Sequence, residues 1–369
     1  MHRFTGCSSL TSQRPADSQF DVLSQTSENW VYSVWYGNSP FRWLLLPLSG
    51  LFWLLVTGRR LLFTSRLRKS EAVAAPVVVV GNITAGGTGK TPVTSWLARA
   101  LRERGYVPGV VSRGYGGAVG PRPVQALAAS DPREVGDEAI LLAAQSGCPV
   151  VVHPDRIAAA EMVIGLGANV VIADDGLQHY RLARNFEIAV VDGARCFGNG
   201  YLLPAGPLRE PVSRLRTVDQ VIVQRHAGSG QDGACGLPER STIDFHLRIT
   251  AVSRLDRSIV CQIDEFAGQT VHAVAGIGHP ERFFRMLERH GLKVVRHPLP
   301  DHAIIGRDDI EFADELAVLM TEKDAVKCRW PDTGKCWFVP VEVEFAGNGG
   351  ELLLEQILSA LGPGGWRPA

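Results

Sequence analysis

The run Val77-Val78-Val79-Val80 is followed closely by Thr84-Ala85-Gly86-Gly87-Thr88-Gly89-Lys90-Thr91, and this juxtaposition constrains the chain more than any other feature. Four β-branched residues in succession read as a strand buried on both faces, the kind found in parallel sheets. Three glycines in the next turn let the backbone aim its N–H groups inward, and a helix opening at Thr91 adds positive potential. A strand, a glycine-rich turn and a helix N-terminus in that order make a phosphate cradle. Lys90 then reaches the β- and γ-phosphates of ATP, and the Thr91 hydroxyl ligates Mg²⁺. The strict pattern has a leading glycine where this chain has Thr84.

Beyond this unit, short β-branched runs alternate with Ala/Leu-rich stretches. Strands are expected at Gly109–Ser112, Pro149–His153, Val170–Ala173, Ile188–Val191 and Gln220–Gln224, with helices from Thr91 to about Arg104, at Ala139–Gln145 and at Ile157–Gly165. Continuous apolar strands separated by helices imply a parallel sheet covered on both faces. Residues 226–242, rich in Gly and Ser, read as a surface loop. Phe245, Leu247, Ile249 and Ala251 then alternate with polar residues, as do Val339, Val341, Val343 and Phe345, so the two stretches are expected to pair as a ribbon. Between them lies a second α/β unit, with strands at Val271–Ala275, Lys293–His297 and Ala317–Met320 and helices at Glu281–His290 and near Ile310–Asp314. Leu352, Leu353, Ile357, Leu358 and Leu361 stripe a closing helix. The expected fold is α/β: a P-loop NTPase-type parallel sheet domain and a smaller α/β domain, joined by a β-ribbon. Its parts are a disordered leader at 1–27, a membrane-interface segment at 28–70, the P-loop domain at 71–243, and the ribbon with the C-terminal domain at 244–369.

Carboxylates stand where such a sheet places its ligands. Val170–Ala173 runs into Asp174-Asp175-Gly176, and strand ends of this kind point into the binding crevice, so one of the two aspartates is expected to hold the metal. Asp192 ends another strand with no role of its own. Gly136-Asp137-Glu138 opens a helix and reads as a cap or a catalytic pair. In the second domain, Asp301-His302 follows a strand, and the carboxylate can orient or charge the ring. Thr321–Lys327 reads equally as a solvated turn or a cleft lining.

The segment before the P-loop is different in kind. Trp30, Tyr32, Trp35 and Tyr36 precede an uncharged run from Trp43 to Gly58, after which come Arg59, Arg60, Arg66, Arg68 and Lys69. The run is shorter than the ~20 apolar residues of a spanning helix and contains Pro47, Ser49 and Gly50. Aromatic residues with flanking arginines fit a helix lying in a membrane interface; a buried core helix is the bland alternative, and a transmembrane anchor the least favoured. The first 27 residues lack the apolar core of a signal peptide. Formal net charge is zero, so no global field favours nucleic acid. The seven cysteines are scattered without a C-x-x-C pair and are expected to be reduced thiols, with no disulfide framework.

These pieces together resemble the tetraacyldisaccharide 4′-kinase family. The resemblance rests on Pro76–Pro92 (PVVVVGNITAGGTGKTP), Ser112-Arg113-Gly114-Tyr115-Gly116, Gly136-Asp137-Glu138, Asp174 to His179 (DDGLQH), Leu203 to Glu210 (LPAGPLRE) and Thr321–Lys327, with Trp35-Tyr36-Gly37 and Pro47-Leu48-Ser49 at the entry. It implies transfer of the γ-phosphate of ATP, with Mg²⁺, to the 4′-hydroxyl of a lipid A disaccharide precursor at the cytoplasmic face of a bacterial inner membrane, without an obligate protein partner. By position, Lys90 and Thr91 bind phosphate and metal, Asp175 and Glu210 complete the metal environment, and Asp137 is the base, paired across the cleft with His302. Arg113, Tyr115, Arg156, Gln178, His179 and Arg209 line the nucleotide or lipid-phosphate site. The family commonly has an aromatic before its Asp-His, where this chain has Pro300. The rival from another class is a membrane-associated ATPase of the partitioning type, whose P-loop carries an extra lysine where this chain has Ala85.

Overall fold

The computed structural model describes residues 30–225, 235–237, 242–328 and 334–362. The expected leader at 1–27 and most of the expected loop at 226–242 lie outside these residues. The chain enters through a short helix, α1 (residues 30–36), and a long one, α2 (Phe41–Thr64). The P-loop domain then runs through β1 (Val77–Gly81), α3 (Lys90–Glu103), β2 (Pro108–Ser112), β3 (Val124–Ala126), α4 (Pro132–Val135), α5 (Asp137–Ser146), β4 (Val150–Val152), α6 (Arg156–Gly165), β5 (Val170–Asp174), β6 (Phe186–Asp192) and β7 (Gln220–Gln224). β8 (Thr242–Ile249) leads into the second unit: β9 (Val252–Arg254), β10 (Val260–Cys261), β11 (Thr270–Ala275), α7 (Pro280–Arg289), β12 (Lys293–Pro298), β13 (Val318–Thr321), α8 (Glu322–Ala325) and β14 (Cys336–Val339). β15 (Val341–Phe345) and α9 (Gly349–Leu361) close the described chain.

Among the described residues these strands form two sheets. The first has the order β15-β8-β7-β6-β1-β5-β2-β4-β3, the second β10-β9-β14-β13-β11-β12. The first is parallel throughout its centre and turns antiparallel only at its edges, between β15 and β8 and between β3 and β4. Its central strands are uninterrupted Val, Ile and Ala because both faces are covered: Val78, Val80, Val110 and Ile172 pack under α3 and α5, while Val79, Val111, Val171 and Val191 pack on the α6 side. β1 lies between β5 and β6, in a register that sets Val80 opposite Asp174. The C-terminal ends of these three adjacent strands therefore carry the glycine-rich turn, Asp174 and Asp192, all opening into one crevice.

Four details differ from the sequence expectations. The ribbon of β8 and β15 forms as expected, but β8 also pairs in parallel with β7, so the ribbon is the edge of the first sheet. α9 packs on that edge, burying Leu353, Leu354, Ile357 and Leu361; Leu352 points outward, because the helix starts at Gly349 and its apolar face is rotated by one position. Residues 310–314 are not helical. A 3₁₀ turn at Arg307–Asp309 stands just before them, with the Gly306 N–H donating to Asp309 at 2.8 Å. Cys196 and Cys235 are joined in a disulfide, with Cα atoms 5.3 Å apart, where reduced thiols were expected. The two are 39 positions apart and meet only because the turn after β6 lies against the segment at 235–237.

α2 extends beyond the uncharged run, through Arg59 and Arg60 to Thr64, and is long and apolar enough to cross a membrane. Only Ser49 is buried on it, while Leu44, Leu55 and Trp53 stand exposed. The Ser49 hydroxyl donates to the Leu202 carbonyl at 2.8 Å and accepts from the Ala205 N–H at 2.9 Å, which pins one face of the helix to the P-loop domain. Phe41 meets the Trp30 ring and Phe63 stacks on Tyr180, but most of the remaining apolar surface is left uncovered by the described residues, so α2 is not a buried core helix.

Candidate active site

The glycine-rich turn takes the shape that its residues permit. Gly86 (φ 96°) and Gly89 (φ 81°) are left-handed, a conformation that a side chain would strain. Gly89 stands at the N-cap of α3 without a side-chain cap, which leaves the first N–H groups of the helix directed at the cradle. The segment 203–210 braces the turn from below, with the Ala85 N–H donating to the Pro207 carbonyl at 2.7 Å and the Arg209 N–H to the Ile83 carbonyl at 2.7 Å. The Thr88 hydroxyl is buried without a hydrogen-bond partner. A buried, unpaired donor in a phosphate loop is the mark expected of a group that a phosphate oxygen satisfies.

Lys90 extends from the first turn of α3 to Asn82 Oδ1 at 3.2 Å and to Asp175 at 3.6 Å. Asp175 also receives Arg209 Nη1 at 2.9 and 3.1 Å. Burial alone would raise its carboxyl, but Lys90 and Arg209 override this and hold it down to about 2. Asp174, one residue earlier, is fully buried and accepts from the Thr94 hydroxyl at 2.8 Å. Burial, with Glu138 nearby, pushes it up to about 6. Two adjacent carboxyls are thus set far apart in acidity by opposite surroundings. Glu210 is buried and held by Gln178 Nε2 at 2.9 Å and by the Tyr180 hydroxyl, while Gln178 Nε2 also reaches the Asn82 carbonyl at 3.0 Å. Glu210 therefore sits at the foot of the cradle, with its oxygens already engaged.

No cluster of three or more His, Cys, Asp and Glu residues suited to a metal ion occurs among the described residues. The donors that are present, a threonine hydroxyl at the helix start and one or two carboxylates at the end of the neighbouring strand, suit Mg²⁺, which takes few protein ligands and shares nucleotide phosphates.

The expected cationic residues divide. Arg156 is buried, its Nη2 donating to the Asp174 carbonyl at 3.0 Å while its Nε has no partner. Burial lowers its guanidinium to about 10, and nearby Asp174 and Asp175 limit the fall. His179 is held down to about 4, first by burial and then by Arg156, Arg113 and Arg59. These residues share one positive corner beside α2. Arg113 and Tyr115, after β2, are exposed to the crevice.

On the opposite wall, Asp137 opens α5 and is buried, and its Oδ2 lies 2.9 Å from Nδ1 of His302 in the second domain. Lys323, the second residue of α8, and Lys327, just beyond its end, each stand 3.9 Å from the same oxygen. Lys323 also lies 3.3 Å from His302 Nε2 and 3.5 Å from Asp301. Burial would raise the Asp137 carboxyl, but the His302 hydrogen bond and Lys323 lower it below the ordinary carboxylate value. His302 is raised, chiefly by that hydrogen bond. The Tyr115 ring stands 5.5 Å from the His302 ring, centroid to centroid. Thr321–Lys327 thus lines the cleft. The sequence reading did not single out Asn82 and Thr94. Asn82 carries a local signal, a polar residue directly after a buried strand, whereas Thr94 is one of several hydroxyl residues on α3 and carries none.

A family model described as Tetraacyldisaccharide-1-P 4′-kinase matches residues 41–360. The tetraacyldisaccharide 4′-kinase of Nitrosococcus oceani is 46% identical over 89% of this chain and 95% of its own. That of Methylobacillus flagellatus is 45% identical over 92% and 98%. Among solved structures, LpxK from Aquifex aeolicus, crystallised in complex with ATP, superposes with a TM-score of 0.74 at 25% identity, covering 87% of this chain and 99% of that one.

Proposed function

The chain belongs to the tetraacyldisaccharide-1-P 4′-kinase family, and from that premise we propose how its cleft carries out phosphoryl transfer. The protein is an ATP-dependent lipid kinase acting on the 4′-hydroxyl of a tetraacyldisaccharide 1-phosphate, a lipid A precursor. The partitioning-type ATPase finds no support, since the matches are to the kinase family and Ala85 stands at the position of that rival's extra lysine.

Phosphoryl transfer depends on positioning and charge neutralisation more than on covalent chemistry. In this reading, the turn from Thr84 to Thr91 holds the ATP phosphates, Lys90 contacts the transferring group, and Arg209 keeps Asp175 ionised and in place. Thr91 with Asp174 and Asp175 would hold Mg²⁺, and Glu210 would support the set from the foot of the cradle. When bound, the ion neutralises charge on the β- and γ-phosphates. Arg113, Arg156, His179, Gln178 and Tyr115 would receive the remaining phosphate and sugar groups of the two substrates.

Asp137 accepts the proton of the attacking 4′-hydroxyl. A carboxylate of lowered pKa is a weak base, and a loose transition state asks little of one until the new P–O bond is well advanced. His302 and the two lysines hold the carboxylate ionised and aimed. The observation that carries this reading is the 2.9 Å contact between Asp137 and His302, residues of different domains. The base is fully oriented only when the cleft is closed, which excludes water and limits wasteful ATP hydrolysis. The exposed apolar face of α2 and its basic end would seat the cleft against the cytoplasmic leaflet of the inner membrane, without another protein partner. The test is incubation of purified protein with γ-³²P-ATP and a tetraacyldisaccharide 1-phosphate in detergent. Label is expected at the 4′ position of the sugar, and label released only as inorganic phosphate would refute the reading.

A further inference from the structure

Asp192 closes β6 beside the cradle and takes no part in the scheme above. Its buried carboxylate accepts from Arg195 Nε at 2.6 Å, from Arg282 Nη2 of α7 at 2.6 Å, and from the Ala194 N–H at 3.1 Å. The Arg195 guanidinium is gripped on three sides. Nε is held by Asp192, Nη1 lies 2.7 Å from His279 Nε2 of the second domain, and Nη2 donates to the Gly87 carbonyl at the tip of the phosphate loop. A Cβ placed on Gly86 would meet Arg195 Nη1 at 3.3 Å, so the guanidinium closes directly on the loop. The His279 imidazole is held down to about 4, mainly by burial and then by Arg195 and Arg282, so it stays neutral and accepts from Arg195. Tyr36 of α1 stands under Arg195, its ring centroid 5.8 Å from the guanidinium carbon.

The loop that Arg195 touches is otherwise held through its neighbours, with the Ala85 N–H donating to the Pro207 carbonyl at 2.7 Å and Asn82 Nδ2 to the Gly86 carbonyl at 3.4 Å, while Arg195 holds the Gly87 carbonyl. Gly86 and Gly87, like Gly89, have wider backbone freedom than the other residues of the cradle. The Gly87 carbonyl has to face away from the phosphates, because a carbonyl oxygen turned inward would repel them and remove an inward N–H. We propose that Arg195, anchored by Asp192, is a positioning residue that turns the Gly87 carbonyl outward and thereby holds the phosphate loop in its ATP-accepting shape. Arg282 provides an internal comparison. It shares the Asp192 carboxylate from α7, whereas the hydrogen bond to the Gly87 carbonyl comes from Arg195.

The inference rests on Thr84–Thr91 being the ATP cradle, and the test separates the two. ATP binding is measured by titration calorimetry, with KM for ATP and for the lipid, in Arg195→Ala, Arg195→Lys, Arg282→Ala and Lys90→Ala. Arg195→Ala is expected to weaken ATP binding about tenfold, the loss of one charge-assisted hydrogen bond. KM for the lipid should stay within about twofold. Arg195→Lys keeps charge and bulk, but one ammonium cannot reach Asp192 and Gly87 together, so an intermediate loss is expected. It also supplies the readout if the alanine variant fails to fold. Arg282→Ala should bind ATP within about twofold of wild type. Wild-type ATP affinity in Arg195→Lys, or an equal loss in Arg282→Ala, would overturn the proposal. Wild-type ATP affinity in Lys90→Ala would instead overturn the cradle itself.

Discussion

His302 Nδ1 lies 2.9 Å from Asp137 Oδ2, although the two residues are 165 positions apart and belong to different domains. The contact joins the start of α5 to the turn that follows β12 in the second unit, and it shifts both groups in the direction that favours an ion pair. Burial would raise Asp137, yet the His302 hydrogen bond and Lys323 lower it, while His302 is raised chiefly by the same bond. This relationship makes the cleft sensitive to pH.

Stability follows from the two directions. A lowered carboxyl contributes above its unfolded value of about 4, and that contribution is lost as pH falls through the folded value. A raised imidazole contributes fully below about 6.5, and that contribution is lost as pH rises through its folded value. The pair is therefore strongest between about pH 4 and 6.5. The thermal midpoint of the wild type should drop more between pH 6 and 9 than that of His302→Gln, measured by scanning fluorimetry. Identical pH profiles would show that the pair does not hold the cleft closed.

Lys90 bridges Asn82 and Asp175 in the cradle. Removing its charge at the transferring phosphate should lower kcat on the order of 10²–10³, the cost of losing one preorganised donor. Lys90→Ala should nevertheless fold, because Arg209 still pairs with Asp175. Near-normal turnover in a folded Lys90→Ala protein would contradict the phosphate assignment.

Asp174 carries a raised pKa, about 6, imposed first by burial. A carboxyl raised on folding costs stability as pH climbs from about 4 through 6, on the order of 2–3 kcal/mol above that range. A cation bound beside it offsets that cost. With a non-hydrolysable ATP analogue present, Mg²⁺ should raise the wild-type thermal midpoint more at pH 8 than at pH 5, where Asp174 is largely protonated. Asp174→Asn should lose this difference. An Mg²⁺ shift of equal size at both pH values would remove Asp174 from the metal environment.

Much of this architecture was legible in the sequence, for a physical reason. Val77–Val80, Val170–Ala173 and Ile188–Val191 are continuous because their strands are buried on both faces, and such runs have few other structures available to them. The chemistry at their ends was legible because glycines, Lys90 and paired aspartates have narrow uses there. The Asp137–His302 pairing rested on the family resemblance, since nothing local to either residue specifies a partner so distant in the chain. Lys323 and Lys327 were ambiguous because a charged segment after a strand looks alike whether it faces water or a cleft. Arg195 and the Cys196–Cys235 bond were missed outright, as their partners at Gly87, His279 and residue 235 are set by tertiary structure. Residues 310–314 were misread because apolar Ile310 and Phe312 pack into the second domain without forming a helix.

The exposed face of α2 is a separate, removable element. Replacing Leu44, Trp53 and Leu55 with serine removes three large apolar groups, each worth ~1.5–3 kcal/mol when buried. Co-sedimentation with anionic phospholipid vesicles should fall at least about tenfold, with ATP binding unchanged. Undiminished sedimentation would contradict an interfacial role for the helix.

The central claim is that Asp137, aligned from across the cleft by His302, takes the proton of the lipid hydroxyl. Single-turnover transfer from ATP to the tetraacyldisaccharide 1-phosphate by Asp137→Asn tests it most directly, with ATP affinity measured in parallel. Transfer should slow by on the order of 10²–10⁴ while ATP affinity stays within about threefold of wild type. Transfer at the wild-type rate would contradict the claim and return Asp137 to a structural role at the start of its helix.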